Sequence, residues 1–346
     1  MPYELPRDPS TARRERISRW IGFAFAAALV VLVAYFGYVG YEGSRQLTDP
    51  PNRTGDCRTP ADLGWAYRAI NYDATGDATM VSPDAPADCD AARAEAGDQV
   101  KAPDGIRLAG WYVPAANGDA SAPTIVLAHG WGSSKSDMLD RAAPLHDRYD
   151  LVLFDFRNHG QSDPATTTQG VAEASDLRAI IDWLVTASGE ERIGVLGVSM
   201  GGASALAEGA RDDRVDAFAI ESTHATIGDA AEARIARAGY PLALPGSWAV
   251  LLGSLLRTGQ DISSVDPLVT ITALDERPVL VVAGGRDDSM GADDPQRLEA
   301  AARGAGSPVE LHVCEAAGHA ESADACPQEY AAWVVGFFDR VFPPSG

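Results

Sequence analysis

The apolar positions of this chain fall into three regimes. Residues 20–41, from Trp20 to Tyr41, run without a charged side chain, which is enough for the roughly 20 apolar residues that a membrane-spanning helix requires. Residues 42–98 are rich in Asp, Ala, Pro and Gly and read as a tether, with one helix expected near Ala61–Ala69. From residue 99 onward, short β-branched runs alternate with helical spacing. Strands are expected at 106–113, 124–128 and 151–155, with a helix between the last two, and again at 192–196, 217–220, 278–283 and 309–313. A helix over 173–185 puts Leu177, Ile180, Ile181 and Leu184 on one face. This alternation predicts an α/β domain over 99–346, with a mostly parallel sheet covered by helices on both faces. Ligands of such sheets bind at the carboxyl ends of the strands.

The strand at 192–196 runs into Gly197-Val198-Ser199-Met200-Gly201, and a small, alanine-rich helix pattern follows at once. Strand, sharp turn and helix around G-x-S-x-G make a nucleophile elbow, which lifts the serine hydroxyl above the sheet. A serine hydroxyl attacks only when a base takes its proton, so a histidine and an orienting acid are required elsewhere. On this architecture the order is Ser, acid, His, each after a strand. The strand at 278–283 ends in Gly284-Gly285-Arg286-Asp287-Asp288, and the strand at 309–313 runs into Ala316-Ala317-Gly318-His319. Of the six histidines, His319 has that order and a strand-end loop. His312 lies inside a strand pattern, and His146 in a helical stretch that reads as surface. His224 follows a strand and is expected to line the pocket. Asp287 and Asp288 both remain candidates for the acid on this reading. The strand at 124–128 is followed by His129-Gly130-Trp131-Gly132. The backbone N–H groups of Trp131 and Met200 are the expected oxyanion donors, since a helix N-terminus favours negative charge. His129 and Gly130 are expected at the substrate.

These pieces resemble the α/β-hydrolase superfamily, in particular its bacterial esterase and peptidase-like members. The resemblance is carried by Asp104–Pro114, His129–Gly132, Asp155-Phe156-Arg157-Asn158-His159-Gly160-Gln161-Ser162, the elbow and the two partners. It covers roughly residues 100–342. The resemblance implies an α/β-hydrolase fold, a Ser199–Asp287–His319 triad and a mainly structural role for His159. It favours Asp287 over Asp288 because two residues separate Asp287 from Met290. It also implies that the insertion at 223–274 forms a small helical cap. The apolar centre of that insertion, Tyr240 to Leu252, reads either as a helix buried on the core or as a pocket wall for an acyl chain. Trp248, Leu251 and Leu252 are the candidates for that wall. The implied reaction is hydrolysis of a carboxylic ester through an acyl-enzyme, without a cofactor. A serine peptidase, a thioesterase and an acyltransferase share the same triad, and a silent binding or scaffold protein shares the fold.

Charge narrows the partners. A net charge of −21 and a pI near 4.5 argue against nucleic acid, whose phosphates need a basic face. A small-molecule or lipid-like acyl substrate and the membrane are the expected partners. Residues 1–19 hold Arg7, Arg13, Arg14, Arg16 and Arg19 against Glu4, Asp8 and Glu15. By the positive-inside rule this tail is cytoplasmic, 20–41 is a single anchor, and the catalytic domain lies outside the membrane. A cleaved signal peptide is the rival, but its apolar region is usually only about 7–15 residues and no A-x-A site follows here. Four cysteines fit export: Cys57–Cys89 and Cys314–Cys326 are the expected disulfides, one of three possible connectivities. Four free thiols in a cytoplasmic enzyme are the alternative. No cysteine or histidine spacing suggests a metal.

Overall fold

The computed structural model describes residues 9–50, 58–70, 80–81 and 97–343. Helix α1, Pro9–Thr48, comes first. The strands follow as β1 (Tyr67–Ile70), β2 (Met80–Val81), β3 (Gly97–Asp98), β4 (Val100–Lys101), β5 (Arg107–Val113), β6 (Thr124–Ala128), β7 (Asp150–Asp155), β8 (Ile193–Val198), β9 (Val215–Glu221), β10 (Val279–Gly284) and β11 (Val309–Cys314). Between and after them lie α2 (Val171–Ser188), α3 (Met200–Gly209), α4 (Ile227–Arg237), α5 (Ala243–Thr258), α6 (Asp294–Gly304) and α7 (Pro327–Val341).

All eleven strands join one sheet, ordered β11-β10-β9-β8-β6-β7-β5-β1-β2, with β3 beside β1 and β4 beside β5. From β11 to β7 every pairing is parallel, while β5 meets both β7 and β1 antiparallel. β6 and β8 are buried along their whole length, because helices cover both faces and leave no side to water. One apolar cluster joins Leu177, Ile180, Ile181 and Leu184 of α2 to Val126, Val195 and Phe218. The opposite face packs Ile125, Leu127 and Leu196 against Tyr330, Val334 and Phe338 of α7.

Two expectations about the front of the chain are corrected. The apolar stretch at 20–41 is only the middle of α1, which continues unbroken to Thr48. The extra turns persist because Glu42 accepts from Arg45 and Gln46 one turn on, while Val39 and Leu47 on another face pack against Ile235 and Val250. Residues 42–98 are also not simply a tether. A short 3-10 turn at Pro60–Leu63 stands where a helix was expected, and β1, β2 and β3 belong to the sheet. The insertion at 223–274 is helical as expected, with α4 and α5 as its main elements. α1 and α5 approach closely at small residues: a methyl added at Gly253 would lie 2.5 Å from the carbonyl oxygen of Gly40.

Beneath the sheet's carboxyl edge, Lys135 donates its ammonium to Asp155 at 2.5 Å and its backbone N–H to the same carboxylate at 2.7 Å. Both side chains are buried. Burial alone would raise Asp155, but Lys135 and His129 hold it below its ordinary value. Its favourable contribution is therefore present above about pH 4 and fades as the pH falls below that. Lys135→Met should leave a buried carboxylate uncompensated and lower stability by about 3–5 kcal/mol at neutral pH. The deficit should shrink in acid, because without Lys135 burial raises Asp155 and the variant takes up a proton at a pH where the parent stays ionised. Denaturant unfolding of the detergent-solubilised chain at pH 7 and pH 4.5 checks both statements, and an equal deficit at the two pH values would contradict them.

Candidate active site

Ser199 occupies the joint between β8 and α3 with φ 52° and ψ −113°. A non-glycine residue is held there only at a cost of about 1–3 kcal/mol. Packing enforces it. The Ser199 N–H donates to the carbonyl of Glu221 at 2.8 Å, and its own carbonyl accepts from Ala203. Gly201 lets α3 pass over the end of β6, where an added methyl would stand 2.1 Å from the Ala128 carbonyl oxygen. The outcome is a serine hydroxyl raised over the carboxyl ends of the parallel strands.

His319 reaches it from the loop after β11. Its Nε2 lies 3.0 Å from Ser199 Oγ, and its Nδ1 lies 2.8 Å from Asp287 Oδ2. With Nδ1–H directed at the carboxylate, Nε2 is the acceptor for the serine proton. The Asp287 carboxylate is buried, and its other oxygen accepts from the Ser289 N–H at 2.9 Å. Asp288 instead is 71% exposed and pairs with Arg237. The two adjacent acids thus differ in which way they face, and Asp287 faces the histidine.

The residues that hold the His319 loop carry little sequence signal. Arg141 donates to Glu221 at 2.7 Å and to the carbonyl of Ala320 at 2.5 Å. Glu221 also accepts from the Ser322 N–H and from the Tyr330 hydroxyl, and Ala320 N–H donates to Ser222 Oγ. Arg141 and Glu221 are both buried. Burial alone would lower Arg141, but Glu221 holds it well above its ordinary value. A single ion pair therefore joins the strand end that fixes Ser199 to the loop that carries His319. Its only trace in the sequence is Glu221, which closes the apolar run Ala217–Ile220 of β9. Cys314 and Cys326 form a disulfide across the same loop, with Cα atoms 6.2 Å apart. Cys57 and Cys89 lie outside the described residues.

The expected oxyanion donors lie on either side of the serine. Met200 is the first residue of α3, where a helix N–H has no intrahelical partner. Among the described residues, neither the Met200 nor the Trp131 backbone N–H donates to another group. His159 fixes the Trp131 loop by accepting from the Gly132 N–H at 3.1 Å, with Nδ1 toward the Arg157 carbonyl. That is the structural role expected of it. The Trp131 indole donates to the carbonyl of Leu47, at the end of α1, at 3.0 Å. Gly130 and Trp131 both line a cavity that opens at Ser199 and His319.

A second cavity, of about 300 Å³, meets the same hydroxyl and is lined by Leu47, Trp131, His224, Arg234 and Met290 among others. His224 is buried there, and its Nε2 has no hydrogen-bond partner among the described residues. Burial and the nearby His319 push it down to about 4, so it is neutral at physiological pH. Arg234 stacks its guanidinium 4.6 Å from the Trp131 ring centroid and forms no ion pair among the described residues. Burial and the adjacent Arg237 push it below the usual arginine value.

Four expected substrate contacts are corrected. His129 is fully buried: Nε2 accepts from the Phe156 N–H and Nδ1 points to the Gly130 carbonyl, so both nitrogens serve the backbone. Burial, with His159 beside it, pushes it down to about 3. Trp248, Leu251 and Leu252 are absent from both cavities that meet Ser199. Leu251 packs in the cluster between α1 and the cap, while Trp248 and Leu252 face outward. Outside the site, His312 packs as expected, stacked on Trp333, and His146 is tucked against Trp65 rather than free on the surface.

Comparison with known proteins agrees with this fold. A family model described as alpha/beta hydrolase fold matches residues 123–249. The uncharacterized protein Rv2307c of Mycobacterium tuberculosis is 31% identical over 224 residues, or 64% of this chain and 70% of its own length. YqkD of Bacillus subtilis, also uncharacterized, is 30% identical over 229 residues, covering 63% and 72%. Among solved structures, the esterase Pf2001 of Pyrococcus furiosus superposes with a TM-score of 0.64 at 22% identity, over 85% of this chain and 98% of that one. The chain belongs to the α/β-hydrolase superfamily.

Proposed function

We propose that the chain is a membrane-anchored serine hydrolase that cleaves carboxylic esters through an acyl-enzyme. The observation that carries this reading is the hydrogen-bonded line Ser199 Oγ, His319 Nε2, His319 Nδ1, Asp287 Oδ2. Ser199 Oγ attacks the ester carbonyl while His319 takes its proton, and Asp287 holds the imidazolium that forms. The Trp131 and Met200 N–H groups receive the oxyanion. Collapse expels the alcohol, which leaves with the proton from His319. Water then loses a proton to His319, attacks the acyl-serine and releases the acid and the free serine. Among the described residues His224 Nε2 has no hydrogen-bond partner and Arg234 no ion-pair partner, so both are offered to the substrate, and the cation favours a substrate with negative charge near the scissile carbonyl.

The helix Arg13–Thr48 is long and apolar enough to cross a bilayer. With five arginines ahead of residue 20, we read residues 1–19 as cytoplasmic, 20–41 as the span, and the domain from 99 onward, with its cap at 223–274, as lying outside the membrane. The disulfide beside His319 supports an oxidising compartment.

A fluorophosphonate probe should label the full chain in detergent, and Ser199→Ala should abolish labelling and ester turnover. Unchanged labelling of the alanine variant would refute the nucleophile. Asp287→Asn should lower kcat by about 10⁴-fold, the scale on which an orienting carboxylate acts, whereas Asp288→Asn should stay within about threefold of the parent. Comparable losses in both would overturn the assignment. A charge-assisted hydrogen bond is worth about 1.5–3 kcal/mol, so Arg234→Gln should reduce the preference for p-nitrophenyl hemisuccinate over p-nitrophenyl butyrate at least about tenfold. Arg234→Lys should retain part of it. An unchanged ratio of kcat/KM in Arg234→Gln would remove the anion from the proposal.

A further inference from the structure

α1 is both anchor and active-site wall. Forty residues of helix span about 60 Å, roughly twice the hydrocarbon core of a bilayer. Its final turns therefore lie outside the hydrocarbon, and there they meet the hydrolase. Leu47 lines the Ser199 cavity, and its carbonyl accepts from both the Trp131 indole and the Gln169 amide, at 3.0 and 2.8 Å. Thr48 accepts from the Thr167 N–H at 2.9 Å.

A narrow apolar cleft runs along these same turns. It begins at Tyr38 and Val39, where the uncharged segment ends, and it is walled by Ile235 and Ala238 of the α4 end and by Tyr240 and Val250. Leu47, Ala231 and Arg234 line both this cleft and the cavity at Ser199. The two therefore adjoin, with these three side chains as their common wall. Tyr38 to Leu47 is about 14 Å of helix, so the cleft runs from the depth of an interfacial aromatic residue to the wall of the cavity that holds Ser199.

The outer side of the cap extends that apolar surface. Trp248, Leu252 and Leu256 of α5 are 63%, 57% and 78% exposed. A groove between α1 and α5 is lined by Leu32, Val33 and Phe36 together with Leu252 and Leu256. Contiguous apolar surface of this kind marks an interaction site. Here it is continuous with the exposed apolar side chains of α1, the proposed span, and that continuity identifies its occupant as the acyl chains of the same leaflet.

We propose that the α1–α4–α5 cleft is a lipid channel: a long-chain acyl ester leaves the leaflet on the catalytic side, with α5 seated in that leaflet, and enters the cleft to reach Ser199. Arg234 stands at the junction of cleft and cavity, where the head of such an amphiphile comes to rest. The proposal rests on Ser199 being an ester-hydrolysing nucleophile.

The test uses the full chain in phosphatidylcholine nanodiscs, with 4-methylumbelliferyl oleate in the bilayer and 4-methylumbelliferyl butyrate in solution. Ala238→Trp narrows the cleft at an exposed position and should lower the oleate-to-butyrate ratio of kcat/KM at least tenfold. An unchanged ratio overturns the channel. If the variant does not fold, Leu256→Cys carrying a nitroxide gives an independent reading. Oxygen should relax the label and a water-soluble nickel chelate should not, whereas a label relaxed by nickel puts α5 in water and overturns the proposal. A parent chain that hydrolyses neither ester and takes up no fluorophosphonate removes the underlying hydrolase reading instead. That failure is distinct from a lost oleate preference.

Discussion

The backbone of Ser199 is the constraint around which this molecule is arranged. A serine at φ 52° is not a conformation that local preference would supply. It persists because β8 and α3 cannot join otherwise: the Ser199 N–H is bound to Glu221 on one side, and α3 crosses the end of β6 at Gly201 with no room for a methyl. Strain of about 1–3 kcal/mol is small against the burial of a whole parallel sheet. In exchange the hydroxyl stands clear of the strands. The proposed partners Trp131, Asp287 and His319 are then supplied by loops at the same sheet edge, after β6, β10 and β11, and Met200 follows the serine itself.

Those loops are long enough to wander, and buried charge holds them in register. Arg141 and Glu221 bind the strand end under Ser199 to the carbonyl next to His319, while Lys135 and Asp155 fix the segment after the Trp131 loop. A buried ion pair is poor evidence for net stability, since desolvation offsets much of its attraction. What it supplies here is position. Each carboxylate also accepts backbone N–H groups, so displacing the chain would leave both a charge and a donor unsatisfied.

Much of the site was legible in the sequence, for chemical reasons. An elbow demands glycines around a serine, and the fold dictates the order of its partners, so Ser199, His319 and the Trp131 loop left recognisable patterns. Adjacent Asp287 and Asp288 left none that separates them. One register position at the end of β10 turns the first toward His319 and the second to solvent. His129 looked like a pocket residue because its neighbours are, yet both ring nitrogens are consumed by backbone groups. The helix at Trp248 to Leu252 was correctly read as apolar, but periodicity reports that a face is apolar and not what it faces. The strand Tyr67–Ile70 is too short to declare itself within a polar stretch. Arg141 was hidden because a buried arginine looks like a surface one until its partner is known.

The least legible feature was the docking of α1 on the α/β domain. A spanning helix followed by a flexible tether would leave the domain free to tumble beside the membrane, and the strong acidic charge beyond residue 19 would push it away from an anionic surface. The structure removes the tether where it matters. α1 keeps its helix through Glu42 and Arg45, docks on α5 through Gly40 and Gly253, and ends in hydrogen bonds to Trp131 and Gln169. One helix crossing a bilayer fixes a height but not a rotation about its axis. On the proposed anchoring, a second apolar helix packed alongside it would fix both, because its exposed leucines would be covered when that side of the domain is turned toward lipid. From Tyr41 to Leu47 is about 9 Å of helix, a distance too short for the domain to reorient without unwinding α1. On the proposed anchoring, electrostatic repulsion would act on a body whose distance and facing are already set by apolar contact, and the cavity at Ser199 would be held beside the leaflet.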